Sequence, residues 1–215
     1  MSMSTVWVRM RHAIVHLFKD SSGIAATEFA VLVPIMLVMF FGTVEFSSGL
    51  AVDRKVTLVA RTLSDLTSQS PPTTSNSPSS GVNNTYLQNV FTASVAILQS
   101  YCATPTQATL SEIYIDSNQV AKIQWSKAAT FATCTSPATL TTSAHNAGDI
   151  VTVPPALLVR QTYLILSEVS YLYTPAVGYV MGRTGVTLSD TAYTRPRQVV
   201  CVVYNNTPDS TCPTP

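Results

Sequence analysis

Glu28 stands five residues beyond Gly23 and directly before Phe29, and no further charge occurs until Glu45. A carboxylate at the mouth of a hydrocarbon run is costly to hold there, so Glu28 is a functional group that needs a cationic or donor partner. The other groups with chemical capacity are scattered. His12 and His16 precede the apolar run, and His145 lies in Thr-Ser-Ala-His-Asn-Ala-Gly-Asp149, a loop by composition in which a solvated histidine is the expectation. Gly-x-Ser-x-Gly and His-Glu-x-x-His do not occur. No catalytic set, cofactor or enzyme activity is therefore expected. Glu168 with Arg195 and Arg197 suggests a charge pair inside the fold rather than a ligand site. Cys102, Cys134, Cys201 and Cys212 all follow the apolar run, and an even number favours disulfides, with three connectivities open. The expected pairs are Cys102 with Cys134 and Cys201 with Cys212. Their spacing fits no zinc motif, so no metal is expected.

Positioning these groups is the task of a membrane segment and an outer head. The chain has 215 residues, 46% hydrophobic but only 11% charged, against about 25% charged in ordinary soluble domains. Its net charge of +1 offers no basic stripe for phosphates, which argues against nucleic acid as a partner. Ile24 to Val44 is an apolar run that, as a helix rising about 1.5 Å per residue, spans roughly 30 Å of hydrocarbon. It can cross a bilayer once. Arg9, Arg11 and Lys19 precede it, whereas Asp53 offsets part of Arg54 and Lys55 beyond it, so the amino terminus is expected in the cytoplasm and the bulk outside. The competing reading is a cleaved secretory signal with Phe46-Ser47-Ser48-Gly49 as a loose cleavage site. The run is long for such a signal, and Glu45 would sit close to the cut.

The helix should not stop at the membrane. Val52, Val56, Val59, Leu63 and Leu66 form an apolar seam, with Asp53, Arg54, Lys55, Arg61 and Asp65 on other faces and Arg61 placed to pair with Asp65. One continuous helix from about Ile24 to Leu66 follows. Its seam would pack either on the chain's own domain or on copies of similar helices. Pro34 is the one break signal within the lipid segment, and Glu45 falls where the helix should leave the bilayer and be solvated.

Thr67 to Gly81 is made only of Ser, Thr, Pro, Asn, Gln and Gly, so residues 67–83 read as a linker. Leu87, Val90, Phe91, Ser94, Leu98 and Tyr101 then give a second helical stripe, capped by Asn84 or Thr85. Ile113 and Ile115, a turn at Asp116-Ser-Asn118, and Ala121, Ile123 and Trp125 predict a hairpin whose other face carries Glu112, Tyr114 and Lys122. Gln161 to Tyr173 is apolar on both faces and should be a central strand; Val186–Tyr193 and Gln198–Tyr204 complete four or five mainly antiparallel strands. The fold class is α+β: a long amino-terminal transmembrane helix continuing as an amphipathic helix, then, over 84–215, a helix packed on a mainly antiparallel sheet.

The basic leader, Gly23 followed by Glu28-Phe29, and the apolar helix with Pro34 and Gly42-Thr-Val-Glu45 resemble the TadE-like pseudopilins of the Flp, or tight-adherence, type IVb pilus system. The resemblance covers about Gly23 to Leu66, and Ser167 to Pro175 and Asp190 to Arg197 also look like segments of longer TadE-like proteins. It implies that residues 1–23 are a cytoplasmic leader, cut between Gly23 and Ile24 by a prepilin peptidase. It also implies that Glu28, at mature position five, joins Phe29 in subunit assembly by meeting a neighbouring subunit's new amino group. The implied partners are that peptidase, other pilin and pseudopilin subunits, the inner-membrane pilus assembly platform and membrane lipid. The location would be the bacterial inner membrane, single-pass with the amino terminus inside, and then a surface pilus used in adhesion. An uncleaved, membrane-anchored extracytoplasmic binding module is the alternative.

Overall fold

The architecture is that of a computed structural model, which describes residues 22–72, 79–99, 101, 106–133, 135–175, 185–204 and 212. The chain divides into two compact units, Met1–Phe46 and Ser47–Pro215. Helix α1, Ser22–Ser68, runs without interruption through Pro34. In the first unit nearly every residue from Ile24 to Val44 is exposed. A helix apolar on all sides finds no water-facing stripe and no core stripe, which is the composition of a membrane span. Thr27 and Thr43 turn their hydroxyls onto the carbonyls of Ile24 and Met39, both at 2.8 Å, and so need no outside partner.

In the second unit the rest of α1 is amphipathic as its spacing predicts: Val52, Val56, Val59 and Leu63 are fully buried. Of the two readings of that seam, packing on the chain's own domain is the one observed. Those side chains join one core with Leu87, Val90, Phe91 and Val95 of α2 (Asn84–Val95) and with Leu110, Ile165 and Val169 of the sheet. Each such buried aliphatic side chain contributes about 1.5–3 kcal/mol. Asn83 caps α2, its Oδ1 accepting from the Tyr86 amide at 2.8 Å, one residue ahead of the expected cap. The Tyr86 hydroxyl donates to Leu66 O at 3.1 Å and ties the start of α2 to the end of α1.

Strands β2 (Thr106–Ile115), β3 (Ala121–Phe131), β4 (Thr139–Thr141), β5 (Thr162–Tyr173) and β6 (Val186–Thr194) form an antiparallel sheet in the order β4-β3-β2-β5-β6. The β2–β3 hairpin turns where expected. Asp116 Oδ1 accepts from the amides of Asn118 (2.8 Å) and Val120 (2.9 Å), and Gln119 takes the left-handed conformation at φ 63°. β5 is buried on both faces and flanked on both sides, but β2 holds the middle of the sheet. One sheet face lies in the α1–α2 core; the other buries Ile113, Ile115, Ile123, Leu164 and Leu166 under Val153. At the entry to β6, Gly185 has φ +76° and a Cβ there would lie 2.7 Å from Tyr173 O, so no other residue fits without displacement.

Two expectations need correction. Residues 67–83 are not linker at either end: Thr67 and Ser68 close α1, and Ser79–Val82 is strand β1. Nor does Gln198–Tyr204 join the main sheet. Its strand part, β7 (Cys201–Tyr204), pairs in parallel with β1 as a separate two-stranded sheet, with Ser79 opposite Cys201 and Val82 opposite Tyr204. In that place the Val202 amide of β7 donates to the buried Glu112 carboxyl group, a contact that the main sheet's ladder would not allow.

Candidate functional site

Two places in the fold hold acids whose surroundings call for an explanation. The first is the amino-terminal part of α1. Gly23 and Ile24 lie in its opening turns, Glu28 is exposed one turn beyond Ile24, and Phe29 is 68% exposed. Residues four apart share a helix face, so a charge at Ile24 N and the Glu28 carboxylate would occupy the same side of the helix. The leader up to Ser21 lies outside the described residues. Beyond Glu28 the surface is Val31, Leu32, Ile35, Met36, Val38 and Met39, each more than half exposed. It offers no donor to a carboxylate, because helix amides in that interval are consumed by the helix itself. Glu45, expected in solvent at the helix exit, is instead 3% exposed. A carboxylate without access to water requires a partner, and Glu45 has one.

The second place is in the head, and sequence reasoning missed it. Glu112, assigned to the outer face of the hairpin, is fully buried. A β-bulge between Glu112 and Ile113 shifts the β2–β3 register, so that Glu112 lies opposite Trp125 in place of the simple alternation. Its Oε1 accepts from the Val202 amide of β7 at 2.5 Å, and the Trp125 indole N–H reaches Glu112 Oε2 at 3.2 Å and Val202 O at 2.6 Å. Burial pushes the Glu112 carboxyl up to about 8 against the opposing pull of the two hydrogen bonds, so it is mostly protonated at neutral pH. Tyr163, packed at a tilt against Tyr114 with ring centroids 4.8 Å apart, is pushed up to about 12 by burial, by Glu112 and by Tyr114. Beside them Cys201 is bonded to Cys212, as the sequence predicts, with Cα atoms 5.7 Å apart. The expected partners Cys102 and Cys134 lie outside the described residues. The local signal for Glu112 was faint: one acid in a segment whose both faces are otherwise apolar or small.

The proposed charge pairs are rearranged. Glu168 meets His145, Oε2 to Nε2 at 2.8 Å, in place of Arg195 or Arg197. Arg197 instead reaches Asp65 at 2.5 Å, and its amide donates to Ser68 O at 2.9 Å. Among the described residues Asp65 thus meets Arg197 and Gln69, and not Arg61 as its spacing predicts, and His145 is half-buried rather than solvated. Both pairs are formed between side chains far apart in sequence, which helical spacing cannot reveal. Among the described residues no three His, Cys, Asp or Glu side chains come together as a cation site would require.

Residues 23–63 match the family model of TadE-like protein. This part of the chain is similar to TadE-like proteins. The match begins at Gly23 and contains Glu28, Phe29 and the whole lipid-length run, and it ends within the buried seam of α1. It thus joins the exposed and the buried parts of one helix in a single unit of sequence. Comparison with curated proteins and with solved structures gives no match.

Proposed function

We propose that this chain is a pseudopilin or minor pilin of a Flp-type (Tad) pilus, cut between Gly23 and Ile24 and inserted through Glu28 and Phe29 among other pilin helices. The observation that carries this reading is Glu28 itself: one exposed carboxylate ahead of a charge-free run within the TadE-like segment. In hydrocarbon such a group requires a cation or donor, and a cleaved neighbour's amino group at Ile24 is a cation of the right depth. The partners are then a prepilin peptidase, other pilin and pseudopilin subunits, and the inner-membrane assembly platform, with lipid around α1. The head lies outside the cytoplasm, where Cys201–Cys212 persists, and the assembled pilus serves adhesion. Intact-mass measurement of the protein from membranes is expected to show a chain beginning at Ile24. A mass that includes Met1 to Gly23 would instead indicate the uncleaved, membrane-anchored binding module.

A further inference from the structure

The head carries an open cleft of about 550 Å³ on the outer edge of β3, formed by a gap in that strand's pairing. The ladder to β4 covers Ala128 to Thr130, and pairing resumes only at the Lys122–Ile150 bridge and the bonds between Ile123 and the backbone of Gly148 and Asp149. Between them Gln124 to Lys127 face the cleft, and residues 141–147 arch over it.

Both walls are held in place. On the arch, Ser126 Oγ donates to Ser143 Oγ at 2.6 Å, the His145 amide donates to the same oxygen at 3.0 Å, and His145 Nε2 bonds Glu168 at 2.8 Å. On the other side Trp125 and Tyr204 pack with ring centroids 5.9 Å apart. Lys127 Nζ lies 4.5 Å from the Tyr204 ring centre, and the Tyr204 hydroxyl donates to Asn84 Oδ1 at 2.5 Å. A cleft with fixed walls avoids much of the ordering cost of binding.

Its lining selects a class of ligand. Asn84, Ser126, Thr141, Thr142, Ser143 and Asn146 supply neutral hydroxyls and amides, groups that both donate and accept. A nucleic acid or polyphosphate would need several cations, and among the described residues Lys127 is the one lysine or arginine in the lining. An apolar ligand would need an aliphatic floor, and among the described residues Leu140 and Ala147 are the aliphatic side chains in the lining. A ligand rich in hydroxyls, each able to donate and accept, matches this inventory. We infer that this cleft is an oligosaccharide-binding site.

The test uses full-length protein in lipid nanodiscs, free of sugar-headed detergent, with Trp7→Phe so that Trp125 is the sole tryptophan. An array of neutral and uronic-acid oligosaccharides identifies binders, which are then titrated against Trp125 emission. The expected result is a saturable change, weakened at least tenfold by Thr142→Ala with Asn146→Ala and abolished by the cleft-filling Thr142→Trp. Arg61→Ala, outside this cleft, should leave it within twofold. Thr142 and Asn146 are exposed, so the variants should melt with the parent. Absence of any saturating oligosaccharide, variants that bind as the parent does, or binding confined to a polyanion such as heparin with loss in salt would each overturn the assignment. Because Glu28 plays no part in this measurement, its outcome is independent of the assembly reading.

Discussion

The two halves of α1 belong to one unbroken helix, yet they solve opposite problems. From Val52 to Leu63 the seam residues Val52, Val56, Val59 and Leu63 recur at spacings of four, three and four, and these four are buried in the head, while Leu58 off the seam is exposed. From Ile24 to Val44 apolar residues occur on every side and are exposed. A seam specifies a direction, and so a partner within the same chain. A helix apolar all round specifies only a medium, lipid or a bundle of similar helices. In such a medium a single carboxylate supplies the direction that the hydrocarbon lacks, and Glu28 occupies that position.

This contrast can be broken by substitution. Leu63→Ala removes a fully buried side chain and should cost the head about 2–5 kcal/mol, whereas Leu37→Ala, in the exposed half, should leave the head's thermal midpoint unchanged. Equal losses from both would erase the distinction. A smaller effect is expected within the head from Cys201→Ser with Cys212→Ser, which opens a loop of sequence separation 11 and should lower stability by about 3 kcal/mol in denaturant titration. No change in midpoint would mean that β7 is held by Glu112 and β1 alone.

A further perturbation is pH. Glu112 has an ordinary carboxyl value of 4.5 when unfolded and about 8 in the fold, so between these values the native head keeps a proton that the unfolded chain has lost. Its stabilising effect is complete below about 4.5 and is lost as pH rises through about 8. Unfolding midpoints measured across that window should fall with rising pH, and Glu112→Gln should flatten the fall. A slope unaltered by Glu112→Gln would place the titration elsewhere.

The sequence showed what is local and hid what is distant. The extent of α1, its buried seam, the turn at Asp116 and the runs of β5 and β6 all follow from periodicity and turn chemistry over neighbouring residues. By contrast, Ser79–Val82 has no strand composition and becomes β1 only because β7, more than a hundred residues later, lies beside it. The same distance hid Glu112, whose partners Trp125 and Val202 come from two other strands and whose register depends on a bulge. His145 and Asp65 found Glu168 and Arg197 for the same reason. At the amino-terminal site the residue types themselves were legible, because Gly23, Glu28 and the charge-free run are contiguous.

The central claim is that Glu28 acts as an assembly contact while the rest of the exposed half of α1 serves as its apolar support. Its most direct measurement is the yield of sheared surface filaments from cells carrying Glu28→Ala, at matched membrane levels of the protein. Loss of filaments with an unchanged head melting temperature is the result this account predicts; filaments at the parental level would contradict it.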